Sequence, residues 1–446
     1  MKSIINTLTN IWKIEDLRYR ILITLGLLAI YRFGSYVVLP GVNSQVLSDL
    51  NRRATGGGIV DLINIFAGGA FSRASIFALG IMPYISASIV VQLLGMAIPY
   101  FQKLQKEGES GRKKINQYTR MLTVVITSFQ APGYLYTQVS SKAGVVADAG
   151  GFWLFNSVLI LVTGTMFIMW MGERITDKGI GNGISLIIMV GIVARLPFAF
   201  VSEFASRLEG KGGGLIVLLL ELVMLLLIII GSILLVQGTR RIPVQFAKKI
   251  VGNKQYGGVR QYIPLKVNAA GVMPIIFAQA IMLIPITLLQ FSESLTGLMG
   301  VFSDIYGFWY NFVFASLIIA FTYFYTAISV NPNQMADDMK RNGGFIPGIK
   351  PGKKTAEFID SIMSKITLPG SVFLAIVAIL PVFAVALNVT HEFAQFYGGT
   401  SLLILVGVVL DTLQQIESHL LMRHYDGLMK SGRIKGRSSV GMASGY

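Results

Sequence analysis

The chain has 446 residues, of which 53% are apolar and only 13% are charged. A soluble domain carries roughly twice that charged fraction, so the composition excludes an ordinary soluble protein and indicates a membrane protein. The formal net charge is +16 and there is no cysteine, which excludes disulfides, thiolate metal sites and cysteine nucleophiles.

Ten stretches each contain about the twenty residues that are needed to cross a hydrocarbon core. They cover residues 20–39, 75–98, 117–138, 152–171, 184–201, 214–237, 267–290, 308–330, 370–388 and 399–421. The chain before the first stretch is basic and amphipathic and runs directly into it, which is not typical of a cleavable signal peptide. We therefore expect an all-α integral membrane protein with ten transmembrane helices.

The distribution of Lys and Arg supports that count, because short cytoplasmic loops collect positive charge. With ten crossings, 30 of the 38 Lys and Arg residues fall on the side of the two termini and six fall on the other side. Removing one span would mix the two groups. The pattern predicts that both termini are cytoplasmic.

Five spans in each half place the halves in the membrane with opposite orientation, as in an inverted repeat. The predicted halves are 1–201 and 214–446, joined by a glycine-rich hinge loop, 202–213. Each half contains a Gly-x-Met-Pro sequence, at Gly80–Pro83 and at Gly271–Pro274. A proline inside a membrane helix kinks it, so we expect a matching pair of broken helices at the centre of the protein.

Three connecting segments have sequences that are unusual for simple loops. The outer segment contains an eight-residue apolar stretch, 59–66, within a glycine-bracketed region of about 56–74. This stretch is too short to span, and it either packs on the transmembrane helices or moves in and out of a cavity. The cytoplasmic loops 238–266 and 331–369 are long and rich in Lys and Arg, and both could contact a partner.

Ile81 and Ile85 share one face of the second span with Ser88 and Gln92, and Ile184 and Ile188 repeat the i, i+4 spacing in the fifth. The spacing alone indicates a packed helix seam. Nearby hydrogen-bonding side chains, including Ser86 and Gln279, favour instead a face that lines a passage.

Ionisable residues inside spans are functional candidates by default. Arg32, Arg195 and Glu221 lie toward the outer ends of their spans, where snorkelling to the interface explains them. The middle of the membrane therefore has almost no charge, which argues against an ion-coupled transporter. The Gly179–Gly183 run lacks the preceding strand of a phosphate-binding loop and predicts a tight turn. No motif points to catalysis, a cofactor or a metal, so we expect no enzyme.

Six dispersed motifs resemble the SecY family, the central subunits of bacterial protein-conducting channels. They are FALGIMPYISASI (77–89), KEGESGRK (106–113), GIGNGIS (179–185), PLKVN (264–268), FIPG (345–348) and GGTSLLI (398–404). The resemblance covers essentially the whole chain. It implies two inverted halves of five helices around a central hourglass pore that a short plug helix closes.

By position within these motifs, the resemblance implies a role for particular residues. The apolar pore ring would consist of Ile81, Ile85, Ile184, Ile188, Ile276 and Ile404. The plug would include Ile59, Leu62, Ile63, Ile65 and Phe66. A lateral gate, through which membrane-protein helices enter lipid, would include Ser86, Gln92, Asn182 and Gln279.

The resemblance also implies a bacterial cytoplasmic (inner) membrane location and a set of partners. These are the membrane subunits SecE and SecG, the ATPase SecA, ribosomes, unfolded preproteins, nascent membrane helices and the lipid bilayer. The expected motor and ribosome contacts are Arg240, Arg241, Lys248, Lys249, Lys254, Lys350, Lys353 and Lys354. Lys350 stands where the family usually has arginine, and it lacks the planar bidentate fork of that side chain.

The function expected is passive conduction of unfolded polypeptide, with energy supplied by a partner. Two alternatives remain open from the sequence. One is a secondary transporter of a small solute, which should depend on a buried acid. The other is a membrane-insertion chaperone without a through-pore, which would not need a plug.

Overall fold

The computed structural model describes residue 12 and residues 14–53, 59–142, 144–146, 150–209, 214–246, 249–251, 254–256, 260–289 and 304–430. Helices form most of this part of the chain. In the first half they are α1 (Glu15–Gly34), α2 (Ser44–Arg53), α3 (Ile59–Phe66), α4 (Met82–Ala97), α5 (Pro99–Lys106), α6 (Glu109–Tyr134), α7 (Gly151–Lys178) and α8 (Gly183–Leu208). In the second half they are α9 (Gly214–Gln237), α10 (Met273–Leu289), α11 (Phe308–Ser329), α12 (Pro332–Arg341), α13 (Lys353–Ala386), α14 (His391–Ala394) and α15 (Gly399–Lys430).

Within the described residues, six helical segments are long and apolar enough to cross a membrane. They are Gly151–Lys178, Gly183–Leu208, Gly214–Gln237, Phe308–Arg341, Lys353–Ala386 and Gly399–Leu420. A bent pair, Met82–Gly95 with Pro99–Gln105, raises the number to seven if it is one span. The chain is therefore a multi-pass helical membrane protein, and each of the ten predicted stretches contains or overlaps a helix.

Several helices extend well beyond the predicted spans on the side of the basic loops. Helix α13 begins at Lys353, whereas the predicted span begins at 370, and together with α12 it makes most of the predicted loop 331–369 helical. Helix α6 begins at Glu109 and continues as a π-helix over Leu135–Ser140. Polar helical turns outside the hydrocarbon region carry no hydropathy signal, which explains the short predictions.

The expected kinks at Pro83 and Pro274 are wrong, since both prolines lie in the first turn of a helix. Helix α4 begins at Met82 and α10 begins at Met273, and the apolar residues before each are in turns. Proline is well tolerated there because the first helical N–H has no intrahelical acceptor. Gly80 and Gly271 adopt φ values of +58° and +64°, so both Gly-x-Met-Pro sequences start a helix in the same way.

The chain is mostly helical, as expected, but its basic loops also contain strands, which the sequence did not predict. Strand β1 (Thr239–Phe246) pairs antiparallel with β4 (Arg260–Lys266) and with β5 (Gly344–Phe345), and β2 (Lys249–Val251) pairs with β3 (Lys254–Tyr256). The predicted loops 238–266 and 331–369 thus form one body. Its core consists of Ile242, Val244, Leu265, Met339, Ile346, Ile359 and Met363.

The predicted hinge loop, 202–213, is shorter than expected. Helix α8 continues to Leu208 and α9 begins at Gly214, so the connection begins at Glu209. Residues 210–213 lie outside the described part of the chain.

Candidate functional site

Five of the six isoleucines expected around the pore lie in one buried cluster at the centre of the helix bundle. Ile81 immediately precedes α4 and Ile85 lies on it, whereas Ile188, Ile276 and Ile404 belong to α8, α10 and α15. Each of the five is at most 9% exposed. Both halves of the chain contribute, so aliphatic side chains from four helix regions close the centre.

Ile184 lies at the edge of this central cluster. It is half-buried and packs against the cluster. A Cβ atom added to Gly172 of α7 would lie 3.0 Å from Cγ1 of Ile184, so this side chain also faces α7.

The short apolar stretch of the outer segment forms α3, whose C-terminal end enters the same cluster. Ile65 and Phe66 are buried among the central residues, and Ile63 packs against a neighbouring cluster. The side chains of Ile59 and Leu62 lie outside the described residues. The end of α3 therefore contacts the aliphatic centre directly.

Two arginines hold the chain where it leaves α3. Arg32 Nη1 donates a hydrogen bond of 2.7 Å to the carbonyl oxygen of Gly68, and Arg73 Nη2 donates one of 3.2 Å to the same oxygen. Both guanidinium groups also lie over the Tyr36 ring, at 4.7 and 4.2 Å from its centroid. Burial lowers the pKa of Arg73, and the charge of Arg32 lowers it further; an arginine nevertheless stays protonated.

The residues expected at a lateral gate have separate surroundings. Asn182 is exposed and caps α8 by accepting hydrogen bonds from the amides of Ile184 and Ser185. Gln92 donates a 3.4 Å hydrogen bond to Ser88, and Ser86 is half-buried. Gln279 is buried on α10, and its Nε2 has no hydrogen-bond partner among the described residues.

A cavity of about 50 Å³ lies beside Gln279. Ile65 and Phe66 line it from α3, and Asn311, Gln395 and Ser401 contribute polar groups from the second half. Its size and these polar groups suit a few water molecules, which would reach the unpartnered amide of Gln279. The end of α3 thus contacts both this cavity and the aliphatic centre.

The expectation that Glu221 snorkels to the interface is wrong. Glu221 is only 5% exposed and accepts a hydrogen bond from Arg207, which also pairs with Glu203 at 2.7 Å. Sequence reasoning missed this group because it counted Arg207 as a loop residue. The i, i+4 spacing of Glu203 and Arg207 was the available signal for an ion pair on a continuing helix.

The basic residues expected to contact partners are exposed wherever their side chains are described. Arg240 and Arg241 lie on β1, Lys350 follows β5, and Lys353 and Lys354 occupy the first turn of α13. Lys354 forms an exposed ion pair with Glu357 at 3.3 Å. Lys248 and the side chains of Lys249 and Lys254 lie outside the described residues.

Together these features define a multi-pass helical membrane protein whose two halves meet at a buried aliphatic cluster, with the end of a short helix packed into that cluster. The SecY family model matches residues 75–413. The chain belongs to the SecY family of protein translocase subunits.

Similar proteins support this assignment over nearly the full length. The protein translocase subunit SecY of Mycobacterium tuberculosis is 43% identical over 435 residues, which cover 93% of this chain and 97% of the relative. That of Aquifex aeolicus is 41% identical over 428 residues, covering 94% and 98%. This membership does not favour the alternative of a small-solute transporter.

Solved structures show the same fold at low sequence identity. A protein-conducting channel aligns with a TM-score of 0.64 at 17% identity, covering 94% of this chain and 95% of the other. A structure from work on the SecY plug domain aligns at 0.62 and 17%, with the same coverage. Sec61 from a canine ribosome–channel complex aligns at 0.60 and 16%, again covering 94% and 95%.

Proposed function

We propose that this chain forms the pore of a protein translocase, through which unfolded polypeptides cross the cytoplasmic membrane. In this proposal ten helices span the membrane as two inverted halves of five, and the pore runs between the halves. The identical start of α4 and α10, each two residues after a left-handed glycine, supports a structural repeat. Both termini and the strand-containing body lie in the cytoplasm, as the charge distribution predicts.

The observation that carries the proposal is the buried cluster of isoleucines from both halves. Branched aliphatic side chains offer no hydrogen bonds to water, so a narrow ring of them dewets and blocks ions. The same side chains do not select for a particular polypeptide sequence. Ile81, Ile85, Ile188, Ile276 and Ile404 form the ring, and Ile184 lies at its edge where it meets α7.

Helix α3 acts as the plug of the resting pore. Its C-terminal residues Ile65 and Phe66 fill the centre, while Arg32 and Arg73 hold the following turn through the carbonyl oxygen of Gly68. Helix α3 itself is only eight residues long. A short helix held at one end can leave the centre without unfolding the spans.

The lateral gate lies between α4 and α10, which contact each other across the border between the halves. We assign Ser86 and Gln92 on α4, Gln279 on α10 and Asn182, which caps α8, to this gate as its polar side chains. Polar side chains along a seam can be satisfied by water when the seam opens. An apolar segment would then partition into lipid.

The cytoplasmic body provides the partner surface, which we assign to SecA and to ribosomes, with SecE and SecG as membrane partners. Two relatives of the same fold come from complexes with ribosomes. Lys353 and Lys354 lie at the N-terminus of α13, where positive charge opposes the helix dipole. Lysines that disfavour their own helix are better explained by binding phosphate or an acidic surface. The partner supplies the energy, and the chain itself is a passive channel.

Deletion of residues 59–66 tests the plug and the pore together. The deletion variant and the unaltered chain are reconstituted into vesicles with their membrane partners, and resting ion efflux is recorded. We expect the deletion to increase the efflux while protein export continues. An unchanged efflux would favour an insertion chaperone without a through-pore, and saturable uptake of a small solute would favour a transporter.

A further inference from the structure

The buried ionic group at the junction of the two halves is not explained by a seal, a plug or a gate. It consists of Glu203 and Arg207 on α8 and Glu221 on α9, and each is at most 5% exposed. Such groups are expensive to bury, and Glu221 Oε2 has no hydrogen-bond partner among the described residues. This cost is a reason to look for a role beyond packing.

The hydrogen bonds of this group join three parts of the chain. Arg207 Nε donates to Glu203 Oε1 at 2.7 Å, and Arg207 Nη2 donates to Glu221 Oε1 and, at 3.0 Å, to the carbonyl oxygen of Asn388. Glu203 Oε2 accepts from the amide and the hydroxyl of Thr390, at 2.8 and 2.5 Å. Helix α8 of the first half is thereby tied to α9 and to the turn before α14, both in the second half.

The ionic group lies next to the connection between the halves, where it can resist a change in the angle between them. Arg207 lies on the last turn of α8, and α9 begins at Gly214, so the hydrogen bonds of Arg207 link the two helices close to the short connection between them. A rotation of one half against the other about this connection changes the angle between α8 and α9. Because guanidinium–carboxylate hydrogen bonds are short and directional, such a rotation strains them.

The turn that receives Arg207 has a costly backbone conformation. Asn388 has a φ of +60°, a left-handed conformation that non-glycine residues rarely adopt. The bond from Arg207 to its carbonyl oxygen and the bonds from Thr390 to Glu203 hold this turn in place. The ionic group therefore organises a segment of the second half from a helix of the first.

We propose that Glu203, Arg207 and Glu221 form a hinge clamp that holds the two halves at their resting angle. The clamp rests on the proposed lateral gate, which opens when the two halves rotate apart in a clamshell motion, because its role is to set how readily the gate between α4 and α10 opens. Helix α8 carries both the clamp and the central residue Ile188. Loosening the clamp therefore shifts the resting channel toward the open state.

The distance across the gate tests the clamp. Helix α6 packs on α4 and α11 packs on α10, so labels on α6 and α11 report the separation of the two gate helices. The chain has no native cysteine, so a pair of cysteines at Val125 on α6 and Phe324 on α11, both exposed, accepts spin labels in lipid nanodiscs. Glu221→Leu removes the tie to α9 but leaves Glu203 and Arg207 as a charge-balanced pair, so no unpaired buried charge remains. We expect a second, longer distance population in this resting variant and none in the control Glu392→Leu, which alters an exposed acid on α14.

Two further measurements separate the possible failures. Thr390→Val removes one hydroxyl and no charge, and we expect it to give a smaller longer-distance population even if Glu221→Leu proves unstable. An unchanged distance distribution in the properly inserted variants would overturn the clamp. The same labels are then measured in the otherwise unaltered chain with a polypeptide stalled in the pore. If the distance does not lengthen in this sample, the clamshell motion itself is contradicted. If the distance lengthens in this sample but not in the resting variants, only the clamp is contradicted.

Discussion

Gly191 of α8 lies directly against Gly68, two residues after the end of α3. A Cβ atom on Gly191 would come within 3.2 Å of the Gly68 amide nitrogen and 2.8 Å of the Phe66 carbonyl oxygen. Because these neighbours are backbone atoms, they cannot move aside without moving α3, the proposed plug. The absence of a side chain at Gly191 thus allows the end of α3 to pack closely against α8.

Gly191→Ala should therefore displace the plug and increase resting ion efflux from reconstituted vesicles. Overpacking of a close contact costs about 1–3 kcal/mol, which corresponds to a roughly 5–150-fold shift between plugged and unplugged states. Gly26→Ala is a matched control, since a Cβ atom at Gly26 would meet nothing within 4 Å. Equal efflux from both variants would show that the Gly191 contact does not position the plug.

The two arginines on Gly68 should act together in holding the plug. Arg32→Gln and Arg73→Gln each remove a hydrogen bond to the same carbonyl oxygen and one guanidinium over Tyr36. We expect a small rise in resting efflux from each variant and a larger rise from the double variant. Arg174→Gln serves as a control, because the Arg174 guanidinium lies 5.8 Å from the centroid of the Trp170 ring, on a helix away from Gly68. No rise in the double variant would refute the anchoring role.

A polar side chain in the central ring should admit water and ions. Ile188 is 1% exposed, and Ile188→Asn places an amide among aliphatic neighbours while keeping a similar size. We expect higher resting conductance in planar bilayers for Ile188→Asn and near-normal conductance for Ile188→Leu. If both variants conduct ions equally, wetting of this ring does not control the leak.

Opposite effects on stability and binding are expected at the start of α13. Lys353→Glu should stabilise the helix by about 0.3–1 kcal/mol, because acidic residues suit a helix N-terminus. The same change should weaken salt-dependent binding of ribosomes to the purified channel. Thermal unfolding and co-sedimentation measure the two effects. Tighter binding, or lower stability with unchanged binding, would contradict the assigned role.

The sequence predicted the helical framework well, because twenty-residue apolar stretches and the distribution of Lys and Arg are strong signals. It predicted α3 at its observed ends, since glycines bracket a short apolar run. It failed at Pro83 and Pro274, where hydropathy continues through turns that precede the helix. Composition alone cannot show that Gly80 has a positive φ and that the chain changes from turns to a helix just after it.

The strands and the buried charges were missed for a different reason. The pairing of β1 with β5 joins segments about 100 residues apart, and no local pattern encodes such a contact. The burial of Glu221 depends on Arg207 in the preceding helix and on Asn388 much later in the chain. These are tertiary relationships, and periodicity within one segment cannot report them.

Site-specific crosslinking to a polypeptide in transit tests the central claim most directly. Single cysteines at Ile85 and Ile276, which belong to opposite halves and to the same buried cluster, are compared with one at Ile376, which is 55% exposed on α13. With a cysteine-bearing secretory chain stalled during export, we predict disulfide formation at Ile85 and Ile276 and none at Ile376. Crosslinking at Ile376 alone would contradict a passage through the aliphatic centre.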